Sequence, residues 1–218
     1  MDSAITQFAH RGIEKTSIDD ICARADVSHG TFYYHFADKD DIVDTVGHAV
    51  AAGLVNLVDR EIRDISSGAE RVAMATQVFL AHAAESKDWG WLVVHALADM
   101  GSFFEQISRG IRKDVLIGIR NGEFSANPDP LLFASLLAVV SAALRARLEK
   151  PGEPGIEQHA TVLLLRMLGV PPGDADNLPE QVIARYGDRA ARPKDDMKDL
   201  LPLLLKEVVT RQEDRPAR

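Results

Sequence analysis

Apolar residues recur along this chain at helical spacing, and no run of alternating β-branched residues interrupts them. Ile5, Phe8 and Ala9 share one face of a first helix that stops near Gly12. A second helix begins at Thr16-Ser17, where either hydroxyl can cap free amides and Asp19 and Asp20 occupy the first turn. Its apolar face is Ile18, Ile21, Cys22 and Ala25, spaced i, i+3, i+4, i+7. A short third helix starts at Ser28 and turns Phe32 and Phe36 inward, one turn apart. A fourth opens at Asp38 and carries an apolar stripe as far as Ile62, until Ser66-Ser67-Gly68 breaks it.

The second part of the chain predicts further helices near 69–86, 89–100, 103–120, 129–149 and 155–169. They are punctuated by Asn121-Gly122, Asn127-Pro128, Pro151 to Gly155 and Val170-Pro171-Pro172-Gly173. A short helix with Pro179 in its first turn follows, then a Leu-rich helix near 199–212 and a frayed tail over 213–218. The fold class is therefore all-α. With 218 residues, the chain accommodates one to two domains. The polar break near 66 separates a compact cluster of small helices from a longer, more apolar half. We place a first domain at 1–48 and a second, larger one at 49–212.

The formal charge of −8 excludes a generic polyanion binder, so any contact with nucleic acid has to come from a local surface. One cysteine, Cys22, excludes an intramolecular disulfide framework and a cysteine-rich zinc site. It sits on an apolar face as a core thiol. Residues 1–5 show no secretory signal, and the longest apolar stretch, Leu131 to Leu144, falls short of the ~20 residues that span a bilayer. A cytoplasmic protein with no membrane partner is expected.

Chemistry concentrates between Phe8 and Lys39. Two short helices are joined by the tight connection Arg24-Ala25-Asp26-Val27, and the second presents a polar arc of His29, Gly30 and Tyr33. This is a helix-turn-helix arrangement, whose second helix enters the DNA major groove. Ser28 at a helix N-terminus suits a phosphate. Gly30 lets a base edge approach, and tyrosines offer a hydroxyl to phosphate and a ring to a thymine methyl. Lys39 can reach phosphate from the flank. Thr16, Ser17, Ser28, His29, Gly30, Thr31, Tyr33, Tyr34, His35 and Lys39 are the candidate DNA-binding residues.

At these positions the stretch resembles the N-terminal domain of TetR-family transcriptional regulators. The matching residues are Phe8, Ala9, Gly12, Ile13, Thr16, Ser17, Ile18, Ile21, Ala25, Val27, Ser28, Gly30, Thr31, Phe32, Tyr33, His35, Phe36 and Lys39, all at the family's spacing. The resemblance covers about residues 2–50. It implies a three-helix DNA-binding domain followed by a larger helical domain that binds an effector and dimerises. Leu131 to Leu148 and Ile156 to Leu168 fit the two helices through which such proteins form a four-helix bundle with a second copy. The implied function is a homodimeric repressor of a palindromic operator, released by a small molecule that shifts the helix near 38–63.

Asp26 stands where the family usually has glycine, and Cys22 where it usually has alanine. Met1 falls inside the first helix, so either the usual basic arm is absent or the true start lies upstream. Residues 1–48 hold four Lys or Arg against nine Asp or Glu. So few cations imply a shallow salt slope and a specificity that rests on hydrogen bonds and dimer spacing. This acidic balance keeps an alternative open: a TetR-like fold that has weakened or lost DNA binding and serves as an interaction or adaptor protein. An enzyme is not expected, because no nucleophile with a base and no Gly-rich phosphate loop is present.

In the larger domain, His82, Trp89, Trp91, His95, Met100, Phe103 and Phe104 form the candidate effector pocket, for a small apolar or aromatic molecule. His82 with Glu85, and His95 with Asp99, have spacings that could hold a metal on a helix face, but such pairs arise by chance, and neither a metal nor a cofactor is expected.

Overall fold

The computed structural model of the chain describes residues 1–84, 87–99 and 101–190. Among these residues there are ten helices and no strand: α1 (Asp2–Arg11), α2 (Ile18–Ala25), α3 (His29–His35), α4 (Lys39–Ile62), α5 (Gly68–Ala83), α6 (Lys87–Asp99), α7 (Gly101–Arg120), α8 (Pro130–Glu149), α9 (Ile156–Met167) and α10 (Pro172–Ala190). The expected Leu-rich helix near 199–212 and the tail at 213–218 lie outside the described residues.

Helix starts follow the capping residues. Ser17 closes a capping box with Asp20 at the head of α2, Ser28 accepts from Thr31 N in α3, and Ser67 accepts from Glu70 N in α5. Asp129 accepts from Leu132 N in α8, where Pro130 occupies the first turn. One element differs from expectation. The helix around Pro179 begins earlier, at Pro172, so that Pro179 lies in its interior. Pro172 needs no N–H partner in a first turn. Packing of α10 on α5 and α9 holds the helix together through the second proline.

The chain forms two compact units. Among the described residues, the first contains 1–53 and takes in 87–99 and 101–106; the second contains 54–84 and 107–190. In the first unit, α1 packs on both α2 and α6, and α2 packs on α3. Gly12, at φ +80°, takes a conformation that side chains rarely adopt, and a Cβ there would touch the His95 ring of α6 at 3.5 Å, an ordinary contact. Periodicity shows that α6 has an apolar face but not which helix that face will meet.

In the second unit, α5 packs against α8, α9 and α10, and α8 and α9 pack together. Met74, Leu80, Leu144 and Leu165 are fully buried there. The α5 N-terminus approaches α7 so closely that a Cβ on Gly68 would lie 2.3 Å from Gly118 Cα. By length and composition, α4 and α8 would each be apolar enough to cross a membrane. In α8 only 39% of the most apolar window is buried within the chain, and Leu131 is 74% exposed.

Candidate nucleic-acid interface and ligand cavity

The helix-turn-helix is assembled by short-range hydrogen bonds. Ser17 Oγ donates to Asp20 Oδ2 (2.7 Å) and accepts from Asp20 N (3.1 Å), while Ser17 N donates to Asp20 Oδ2 (2.9 Å). These bonds from Ser17, backbone first and then hydroxyl, bring the Asp20 carboxyl down to about 2, with Arg11 assisting at 2.5 Å. Asp26 ends α2 in the left-handed conformation, φ 53° and ψ 47°, the only positive φ outside glycine among the described residues. The turn thus makes the backbone demand that glycine usually meets, and here an aspartate meets it.

On α3, Phe32 and Phe36 are buried, their rings 5.5 Å apart, as their spacing predicts. The opposite arc faces outward. Tyr33 is 54% and Tyr34 84% exposed, and Ser28, His29, Gly30, Thr31 and His35 are exposed as well. A Cβ on Gly30 would meet only Ser28 Oγ, at 3.6 Å, so nothing inside the chain requires that glycine. His29 Nε2 lies 2.9 Å from Asp19 Oδ1, and Lys39 Nζ donates to Glu14 O at 3.2 Å.

The acids of this region have local duties. Asp20 caps α2, Asp38 Oδ1 accepts from Asp41 N (2.9 Å), and Asp41 Oδ2 accepts from Ala37 N (3.0 Å). Much of the negative surplus therefore sits at helix N-termini, where the dipole favours it. Cys22 is buried, and burial first, then the charge of Asp19, pushes its thiol up.

One expected contact residue is corrected. Thr16 is 1% exposed, and its hydroxyl donates to Gly12 O at 2.8 Å. It ties the loop to the end of α1 and has no surface to offer a partner. The other nine candidates lie at or near the surface of the α2–α3–α4 segment.

A cavity that opens to solvent at its mouth lies within the second unit. Five helices line it: α4 through Val58 and Asp59, α5 through Thr76 and Phe79, α7 through Ile111 and Asp114, α8 through Leu136 and Val140, and α9 through Leu164 and Leu168. Asp114 Oδ1 accepts from Arg71 Nε at 2.7 Å, an ion pair whose side chains are 7% and 5% exposed. Burial pushes the Asp114 carboxyl up, against the pull of Arg71.

None of the seven residues expected to form the pocket lines this cavity. Trp89, Trp91, His95, Phe103 and Phe104 belong to the first unit. Trp91 and His95 set their rings 6.2 Å apart, Phe103 is fully buried and Phe104 is 38% exposed. His82 is in the second unit but is 2% exposed, with Nδ1 2.8 Å from Val78 O. Met100 lies outside the described residues. Residue type pointed to aromatic groups, whereas the cavity is walled mainly by aliphatic ones.

A signal for the wall was nevertheless present. Ile107, Gly110, Ile111, Asp114 and Val115 are spaced i, i+3, i+4, i+7, i+8 on α7, and Val72, Ala75, Thr76 and Phe79 are spaced i, i+3, i+4, i+7 on α5. Asp114 is a charge inside the α7 stripe, and a buried charge needs a partner, though not one that the stripe itself names.

Two family models match the chain. The model for bacterial regulatory proteins of the tetR family covers residues 1–46, and the model for the tetracyclin repressor-like C-terminal domain covers residues 67–181, more than half of the chain. The chain belongs to the TetR family. An HTH-type transcriptional repressor of Mycobacterium tuberculosis is 39% identical to this TetR-family chain over 61 residues, 28% of this chain and 32% of the relative. The chain thus matches the curated relatives found first over about a third of their length. The HTH-type transcriptional repressor DhaR of a Mycobacterium species is 26% identical over 175 residues, 74% of this chain and 86% of the relative. The crystal structure of RolR without ligand has the same fold, with a TM-score of 0.68 at 24% identity over 83% of this chain and 94% of that one. RolR has also been solved with resorcinol, with a TM-score of 0.65 at 23% identity over 83% and 90% of the two chains.

Proposed function

We propose that this TetR-family chain is a sequence-specific transcriptional regulator, a repressor that leaves its operator when a small apolar molecule occupies the cavity of the second unit. The observation that carries the reading is the arc of α3, where Tyr33, Tyr34, His29 and Gly30 face outward over the buried Phe32 and Phe36. A helix held by its inner face and polar outside is built to enter a major groove. RolR, solved with resorcinol, supports a small-molecule effector. Here that effector would lie against α4, α5, α7, α8 and α9, with the aromatic cluster of α6 and α7 outside the site.

The repressor would act as a homodimer on an inverted repeat. The apolar α8, with Leu131 exposed, and α9, with Leu163 exposed, supply a surface that a second copy would cover. Helix α4 contributes Val58 and Asp59 to the cavity and begins at Lys39, next to the reading helix. An effector that displaces it would shift the spacing of paired reading helices, which needs only a few kcal/mol of differential affinity between two states.

The test is selection of fragments bound from genomic DNA, followed by gel shift with the enriched site. Binding to an inverted repeat in preference to a scrambled sequence is expected. Absence of any sequence-specific binding would overturn this reading in favour of an interaction or adaptor role.

A further inference from the structure

Three polar side chains interrupt the apolar wall of the cavity: Asp59, Thr76 and Asp114. The Thr76 hydroxyl donates to Val72 O at 2.8 Å. Asp59 accepts from Lys113 Nζ at 3.1 and 3.2 Å, and Asp114 accepts from Arg71 Nε at 2.7 Å. The wall therefore offers acceptors, and each carboxylate charge already has a cation beside it. A carboxylate has about four lone-pair sites, so the bond from Arg71 leaves Asp114 with capacity to accept more. An anionic ligand would add negative charge beside two carboxylates, one of them, Asp114, buried. A cationic one would compete with cations already in place. A neutral molecule carrying a hydroxyl meets neither obstacle.

Arg71 connects this wall to α4. Its Nη1 donates to Ile62 O at 2.7 Å and to Ile65 O at 3.2 Å, so one buried guanidinium holds Asp114 and the carbonyls at the end of α4 together. Ile62 is the last residue of that helix, and its carbonyl also accepts from Ile65 N at 3.1 Å.

We propose that Asp114 is the specificity-determining acceptor of the cavity, taking the hydroxyl of a neutral and otherwise apolar ligand, and that this contact loosens the Arg71 clamp on the end of α4. The proposal rests on the cavity being the effector site. A ligand hydroxyl that donates to Asp114 shares the negative charge that Arg71 otherwise has to itself. The guanidinium is then held less firmly, and so are the two carbonyls it bridges. A purely apolar ligand fills the same space and leaves the clamp intact.

The experiment titrates the full chain calorimetrically with 2-naphthol, naphthalene and 2-naphthoate, and follows amide hydrogen exchange over residues 62–67 with each. Binding of 2-naphthol should be about tenfold tighter than that of naphthalene, as one hydrogen bond to a charged acceptor allows, with 2-naphthoate the weakest. In Asp114→Asn the preference for 2-naphthol should shrink to under about threefold while naphthalene binding is kept, since a single charge-assisted bond has been weakened. Exchange over 62–67 should speed up with 2-naphthol and not with naphthalene.

If none of the three probes binds, the effector reading of the cavity falls and this inference falls with it. If naphthalene and 2-naphthol bind equally, or Asp114→Asn keeps the full preference, the inference is overturned while the cavity reading stands. Should Asp114→Asn fail to fold, the wild-type comparison still decides: unchanged exchange with bound 2-naphthol overturns the clamp.

Discussion

The outer arc of α3 and the inner wall of the cavity handle polar groups in opposite ways. Around α2 and α3 the capping contacts are local: Ser17 with Asp20, Ser28 with Thr31, Asp38 with Asp41. At the cavity wall the decisive contacts span long stretches of chain, as when Arg71 reaches Asp114, forty-three residues away. The local bonds are exposed and replaceable by water, so each contributes modestly and can be arranged to suit a partner. The buried pair is enclosed by apolar neighbours, and each charge depends on the other to offset its desolvation. The first region can thus change its outer residues for function, while the second ties ligand chemistry to the stability of the unit.

The largest test of this contrast is Arg71→Met. Leaving Asp114 buried without its cation should lower stability by about 3–5 kcal/mol in denaturant melts, whereas Ser28→Ala should cost about 1 kcal/mol. Equal losses would erase the distinction between the two regions.

Next comes the outward arc itself. Tyr33→Ala should weaken operator binding by about 1–3 kcal/mol in gel shifts while circular dichroism stays unchanged, because Phe32 and Phe36 hold the helix. Gly30→Ala sharpens the point. The added methyl meets only Ser28 Oγ inside the chain, so the fold should tolerate it and any loss of DNA affinity belongs to the groove.

A smaller effect is expected at the turn. Asp26→Gly should raise stability by about 0.5–1 kcal/mol, because glycine adopts a left-handed backbone without the strain a side chain brings. A loss of stability in the same melts would show that the aspartate side chain contributes more than its backbone strain costs.

The smallest effect concerns pH. Asp20, held by the Ser17 backbone and hydroxyl, and Asp64, held first by Arg189, both titrate at about 2 instead of the usual 3.8. Carboxyls lowered in this way contribute stability above pH about 4 and lose it as the pH falls towards 2. Asp64 is exposed and Asp20 partly so, so the decline should be slight in acid melts. Replacing Asp20 with Asn should remove part of that slope.

The legible parts of the molecule were those whose physics is local. Capping at Ser17 and Ser28, the inward turn of Phe32 and Phe36, and the awkward fit of Asp26 follow from neighbours within four residues. Thr16 was misjudged because burial of a loop hydroxyl depends on how α1 and α2 meet. The aromatic cluster lies apart from the cavity for a related reason. Trp91 and Phe103 are large enough to line a pocket, but α6 turns towards α1, and the cavity opens among aliphatic faces instead.

Periodicity, capping residues and turn chemistry by themselves determined an all-helical chain with a reading helix near its start, because each acts within one or two turns of backbone. Which faces meet, where they leave a space and which buried charge answers another depend on contacts tens of residues apart. Arg71 and Asp114 stand forty-three residues apart in the chain, and only the tertiary fold pairs them and sets Asp114 on the wall of a cavity.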